Sequence, residues 1–340
     1  MTASQDLVRR RQDANPELLA LLESVEFGGS GLRYRRKALA NTLGRTGPTE
    51  FLYVDSSDAV VAAYALTQTD AFLAGRPLRA VYRGLLAVAP EYRRRGLGRR
   101  LVAMALDQQH ADRGAEPLVS FGLVEAGNEA SLGLLEAMGA TDAGGLCSQL
   151  VYRQWPRPSG ALRPLDYGSQ RVFSELLGAG DRSRGLAIRT SEQLPAFGFV
   201  VGDALAAAAR VGIATIDLGP GGPVARFMHR HAYARFRALG KRYNRRALRY
   251  LTIHDPVVAG DPAAWRAFTD ALLAHHDAHM ALFTLDPRSD IAVALNDAGV
   301  LGRFARATRQ ELRLMVSAWN LDEGWLERLR RKPTYGGPVY

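Results

Sequence analysis

Two patterns alternate along the chain. Short runs with every second position apolar read as strands, and longer stretches with apolar residues three and four apart read as helices. Leu7–Arg11 reads as a strand, Pro16–Val25 as a helix, Phe51–Asp55 with Val60–Gln68 as an antiparallel pair and Leu78–Val88 as a further strand. A glycine-containing loop follows, then a helix from about Arg99 to Arg113, a strand Val119–Glu125, a helix from Asn128 to Met138 and a strand Ser148–Trp155. Gln154-Trp155-Pro156-Arg157-Pro158-Ser159-Gly160 interrupts both patterns with two prolines and Ser-Gly, so a domain boundary is expected there. The expected organisation is a domain over 1–155, a linker over 156–163 and a second domain over 164–340.

The second segment ends with the same grammar: strand Leu248–Ile253, helix Pro262–His275, strand Met280–Leu285, helix Asp290–Asn296 and strands across Arg303–Trp319. Leu135-x-x-x-Gly139-Ala140 and Leu295-x-x-x-Gly299-Val300 share their spacing, which points to an internal duplication. The fold class is α+β, each copy a twisted, mostly antiparallel sheet flanked by helices.

Composition narrows the function without naming it. The 340 residues are 47% hydrophobic and 23% charged, with 44 Lys plus Arg against 34 Asp plus Glu, which excludes a disordered chain and favours an anionic partner. Only Lys37, Lys241 and Lys332 are lysines, and the arginine excess suits planar anions and phosphates. The single cysteine, Cys147, excludes an intramolecular disulfide framework and a zinc-thiolate cluster. No apolar signal core opens the chain, and the most apolar window, Leu194–Leu218, is broken by Asp203 and Arg210, so a cytoplasmic location without a membrane partner is expected.

The sharpest local signal is the apolar strand Leu86-Ala87-Val88 running through Ala89-Pro90-Glu91-Tyr92 into Arg93-Arg94-Arg95-Gly96-Leu97-Gly98-Arg99 and a helix. Gly96 and Gly98 let successive N–H groups turn toward an anion, the helix N-terminus adds partial positive charge, and the arginines supply counter-charge. The spacing is neither Gly-Lys-Ser/Thr nor Gly-x-Gly-x-x-Gly, so nucleoside triphosphates and NAD are disfavoured. A solvated arginine-rich turn is the structural alternative.

Arg93-x-x-Gly96-x-Gly98 after an apolar strand, with Asn128 opening a helix that closes on Gly139-Ala140, resembles the acetyl-CoA-dependent N-acetyltransferase superfamily, GNAT, over roughly residues 5 to 155. The resemblance implies two tandem GNAT-like domains, and in the first of them two splayed strands with the pantetheine arm of acetyl-CoA in the gap. Leu86, Ala87 and Val88 would line that arm, Leu86 and Val88 through backbone groups. Arg93, Arg94, Arg95, Gly96, Leu97, Gly98 and Arg99 would cradle the pyrophosphate, with Asn128 and Ser131 near the thiol end. It also implies direct attack by an amine of a small molecule or peptide on the thioester carbonyl, without a metal. The chain departs from the family where a Tyr commonly protonates the thiolate, here Leu135, and where some members carry a Glu base, here Leu123. Glu125, on the same strand face as Leu123, is the substitute base, or else a carboxylate at the entry of the Asn128 helix. Tyr152 on the last strand is the substitute acid, or else a core aromatic.

Other residues invite chemistry less strongly. Cys147 has no His near it in sequence, and a buried small side chain explains it. His275-His276-x-x-His279 holds a pair at i and i+4 that could bind a metal or end a helix; no metal is expected. In the second segment, Asp255 and Asp261 would repel a pyrophosphate while Pro256 and Pro262 remove N–H donors, so this copy is read as degenerate, with Asp261 as a helix cap. Between Leu218 and His254 there is no acid, while basic residues from Arg226 to Arg249 interleave with aromatics. That run suits an anionic partner such as RNA or an acidic protein, or an amphipathic helix with arginines in water. The leading function is an acyl-CoA-dependent N-acyltransferase, with the second domain shaping the acceptor site or a homodimer. The alternative is a CoA-sensing or nucleic-acid-binding protein without turnover.

Overall fold

In a computed structural model of the chain, residues 7–27, 34–43, 47–56, 59–112, 114–153, 155–181, 185–189, 194–218, 247–302, 305–306 and 308–334 are described. The basic run from Arg226 through Arg246 lies outside them; only Arg249 and its neighbours at the start of a strand fall inside.

Strands β1 (Val8–Arg11), β4 (Thr49–Ser56), β5 (Ala59–Leu73) and β6 (Arg76–Val88) form an antiparallel meander, and β7 (Leu118–Glu125) runs parallel beside β6. Helix α1 (Pro16–Ser24) starts where Asn15 Oδ1 accepts the Leu18 N–H at 2.9 Å and Pro16 takes the first turn. It covers one face of the meander; α3 (Leu97–Asp112) covers the other. The alanine-rich β5 is therefore buried on both sides, with Ala63 and Ala65 under α1 and Ala62, Tyr64 and Leu66 under α3. Helix α3 turns Leu97, Leu101, Val102, Ala105 and Leu106 inward at helical spacing. Helix α4 (Glu129–Ala137) follows β7 and leads to β8 (Thr141–Tyr152), which begins seven residues before the expected strand.

The second segment repeats the plan. The window Leu194–Leu218 is the hairpin β11 (Ala196–Val201) and β12 (Ala204–Leu218), to which β13 (Leu248–Val258) is antiparallel and β14 (Met280–Leu285) adds in parallel to β13. Helices α6 (Ala264–His275) and α7 (Asp290–Asp297) sit in the places of α3 and α4, and across Arg303–Trp319 there is one described strand, β15 (Gln310–Trp319). Elements with weaker sequence patterns complete the fold: β2 (Glu26–Phe27), β3 (Tyr34–Lys37), α2 (Ala40–Leu43), β9 (Leu162–Pro164), α5 (Tyr167–Asp181), β10 (Leu186–Ile188) and a C-terminal α8 (Trp325–Arg331). Within the stretch expected as linker, Leu162 already pairs with Phe199 of β11.

The two copies share a single sheet. Its path is β1-β4-β5-β6-β7-β15-β8-β14-β13-β12-β11-β9. Strand β15 of the second segment lies between β7 and β8 of the first, and β8 lies between β15 and β14 of the second, every one of these pairs antiparallel. Side chains join the segments as well: Arg153 Nε, at the end of β8, donates to Asp270 Oδ1 on α6 at 2.7 Å. Strand β3 crosses over to pair with β12, Arg36 opposite Ile216.

Candidate functional site

Strands β6 and β7 pair only from Arg79–Tyr82 against Leu118–Phe121. Beyond that rung they part, and Arg83–Val88 and Gly122–Glu125 continue on either side of a cleft. Leu85 has a φ of 51° and the β5–β6 register slips beside it, so a bulge bends β6 away from its neighbour. Ala89 donates its N–H to Val61 O at 2.9 Å, and alternation along the ladder turns the backbone groups of Leu86 and Val88 to the cleft side. The Val88 carbonyl accepts Arg93 Nε at 3.1 Å, while Ala87 packs its side chain on the α1 face.

At the wide end, Pro90–Tyr92 forms a single tight helical turn, Arg94 and Gly96 adopt φ values of 63° and 79°, and α3 starts at Leu97. The left-handed geometry at Gly96 is why glycine stands there. Arg93, Arg94, Arg95 and Arg99 are exposed around this turn, and Arg95 lies 4.8 Å over the Tyr92 ring. The leading N–H groups of α3 and four exposed guanidinium groups thus border one turn of backbone, a chemistry suited to an anion. Gly98 leaves room beside Leu86 and Val88.

Asn128 caps α4, which follows β7: its Oδ1 accepts the Ser131 N–H at 3.1 Å. Leu135 is buried in the core under α3, a position from which no proton can be supplied. Glu125 closes β7, half-buried on the same face as Leu123 and opposite Leu312 of β15. Tyr152 ends β8 and packs with Tyr34, Leu248 and Leu282 on a cluster around Tyr250. Tyr34 packs on Tyr152's cluster, and its phenol is pushed up by burial, with Arg36 opposing the shift and the negative charge of Glu125 adding to it. Glu125 stands four residues past the last rung at Phe121, at the open end of the cleft, while Tyr152 lies six residues along β8 from Leu146, the residue level with Glu125 across β15. Tyr34 and Arg36 did not stand out in the sequence, because Tyr34-Arg35-Arg36-Lys37 reads as polar; the alternation of half-buried Tyr34 and buried Arg36 with exposed Arg35 was the available signal.

The second segment has the same bulge and a different filling. Asp255 takes a φ of 47° where the β12–β13 register slips, as Leu85 does in β6. Asp255 is buried and pairs with Arg210 at 3.6 Å. Trp265 is fully buried, donates Nε1 to Val257 O of β13 at 3.1 Å and meets Phe283 of β14 at 6.0 Å, so its indole occupies the space between the diverging strands. The Asp261 carboxylate caps the turn before α6 by accepting the Ala263 N–H at 2.8 Å. Cys147 is buried in β8 and desolvation pushes its thiol up, away from thiolate chemistry. His275 and His276 meet the Phe197 ring edge-on, and His279 Nδ1 meets Arg153 O at 3.2 Å. Among the described residues no three His, Cys, Asp or Glu side chains gather as a metal site, and no helix is long and apolar enough to cross a membrane.

A bulged strand diverging from its parallel neighbour, with a glycine-arginine turn at the mouth, defines the class as an N-acyltransferase-type fold. Residues 17–140 match the model of the Acetyltransferase (GNAT) family. Among solved structures, Saccharomyces cerevisiae N-myristoyltransferase with bound myristoyl-CoA aligns at a TM-score of 0.60 and 9% identity over 91% of this chain and 82% of that chain. A GCN5-related N-acetyltransferase from Kribbella flavida aligns at 0.43 and 18% identity over 79% of this chain and 60% of that one. At 9% identity the likeness to the myristoyltransferase is one of fold. No curated protein matches the sequence.

Proposed function

We propose that the protein is an acyl-CoA-dependent N-acyltransferase that moves an acetyl group from acetyl-CoA to the amine of a small molecule or peptide, with the first segment, 1–155, as the catalytic domain. The observation that carries this reading is the cleft between β6 and β7, with the glycine-arginine turn at its mouth and Glu125 at the end of its β7 wall. Arg93–Arg99 hold the pyrophosphate, and Leu86 and Val88 pair through their backbone with the pantetheine arm. Asn128 and Ser131 border its thiol end. The cosubstrate supplies a thioester activated for direct attack by a neutral amine, so no covalent enzyme intermediate is needed. Glu125 takes the amine proton, directly or through a water, and Tyr152 supplies a proton to the leaving thiolate. The second segment, 164–340, shapes the acceptor side.

Thiol release from acetyl-CoA, assayed over an amine library, tests the reading. Turnover with at least one amine is expected, and CoA affinity without any turnover would favour a sensor. Glu125→Gln is expected to lower turnover by about 10²–10⁴ with little effect on CoA affinity, because loss of a general base acts on the transition state. An unchanged pH–rate profile in that variant would assign the proton transfer elsewhere.

A further inference from the structure

The closed end of the cleft is filled on both faces of the sheet. Tyr82 and Phe121, the last rung of the β6–β7 ladder, turn their buried rings to the α1 face, where the centroids lie 5.4 Å apart. Arg83 is the next residue on β6, so strand alternation sends its side chain to the α3 face. There it crosses β7 altogether: Nη2 donates to Ser120 O of β7 at 3.3 Å and to Met315 O of β15 at 3.2 Å, and Nη1 donates to Ser317 Oγ of β15 at 3.3 Å. Gly122 is what lets it pass. That residue shares Ser120's face of β7, and a Cβ on it would stand 3.1 Å from Arg83 O and 3.8 Å from Arg83 Cβ. The guanidinium is therefore a bar laid across the fork, 4% exposed, on the cleft side of the last rung.

The chemistry of the bar sets what it excludes. Arg83 Nε, Ser120 Oγ and both amide atoms of Gln109, on the inward side of α3, are buried without a hydrogen-bond partner. A methylene chain pushed in among them would offer neither donor nor acceptor and would part the guanidinium from the carbonyls that hold it, which is costly for a buried charge. On the α1 face the aromatic pair already takes the space. We propose that Arg83, backed by Tyr82 and Phe121, determines specificity for the acyl group: it stops the cleft at the last rung, admitting acetyl and excluding long acyl chains. The pantetheine arm comes from the Arg93–Arg99 turn and runs past Val88 and Leu86 toward the bulge at Leu85, so the acyl group is the part of the cosubstrate that meets the bar. This rests on the acyl-CoA reading above and fixes its donor class.

Calorimetric titration of the full chain with CoA, acetyl-CoA, butyryl-CoA and octanoyl-CoA reads the stop directly. A cleft open past the bar would gain about fourfold in affinity for each methylene it buries. Octanoyl-CoA is expected instead to bind wild type no more tightly than acetyl-CoA. Arg83→Ala removes the bar, and it is expected to raise octanoyl-CoA affinity by about tenfold or more with CoA affinity unchanged. Tyr82→Ala opens the α1 face with the same expected gain, and it takes the place of Arg83→Ala if circular dichroism shows that variant unfolded; the wild-type titration decides if neither folds. Octanoyl-CoA binding wild type about tenfold more tightly than acetyl-CoA overturns the inference and leaves acyl transfer standing. So does a folded Arg83→Ala, or Tyr82→Ala in its place, that keeps the wild-type preference. Succinyl-CoA bound more tightly than acetyl-CoA overturns it too, because Arg83 would then be reading an acyl carboxylate. A wild type that binds no CoA overturns the acyl-CoA reading, and the stop with it.

Discussion

A Cβ added at Gly98 would lie 3.8 Å from side-chain carbons of Leu86 and Leu134 and 3.9 Å from Val88, an ordinary contact the fold accommodates. Gly98→Ala should therefore fold well, gaining up to about 1 kcal/mol of helix propensity. Gly98→Asp places a carboxylate where the pyrophosphate is proposed to sit, and like charges at such range are expected to lower CoA affinity by about 100-fold with the fold intact. Calorimetric titration of CoA with a circular-dichroism control checks both variants. At His276, burial and the neighbouring His275 hold the imidazole below its ordinary pKa. A group depressed in the folded state contributes stability above its unfolded pKa and loses it as pH falls through the folded value. Thermal stability should thus decline below about pH 6.5, and His276→Gln should flatten that decline in a Tm-against-pH series. Residue-level chemistry was partly legible: the Arg93–Arg99 turn announced itself by glycine and charge, whereas Arg36 was hidden because arginine on a strand ordinarily faces water.

At the scale of elements, the two bulged strands β6 and β13 are built alike and furnished differently. Val88 O meets an arginine in β6, while Val257 O is taken by the indole of Trp265, wedged between β13 and β14. CoA is therefore expected to occupy one site per chain, and a second site of similar affinity in a calorimetric titration would show that Trp265 does not close the second cleft. Trp265→Ala should cost about 3–5 kcal/mol in denaturant unfolding, the usual range for removing a buried large aromatic. Most elements around the cleft were readable from periodicity, since β5, β6, α3, β7 and α4 have long apolar patterns. Strands β2, β3, β9 and β10 were not, because they are short edge or crossing pieces whose partners are distant in sequence.

At the scale of the whole molecule, each segment lends a strand to the other's sheet. Removing β15 would strip β7 and β8 of the partner that lies between them and expose two strand edges. A fragment ending at residue 155 is accordingly expected to aggregate or lack cooperative unfolding, while the full chain unfolds in one calorimetric transition. Two well-separated transitions, or a stable monomeric fragment, would show the exchange to be dispensable.

Local pattern alone determined the order of strands and helices, the mostly antiparallel sheet, the repeated grammar of the two segments and the turn that gathers positive charge. These follow from residue periodicity, glycine geometry and charge, which act over a few positions and so are written where they act. Tertiary structure decided that β8 and β15 exchange places and that Trp265 stands between β13 and β14. Those outcomes depend on which surfaces are left to be buried once all elements pack, and residues more than 80 positions apart carry no mark of one another until the sheet brings them side by side.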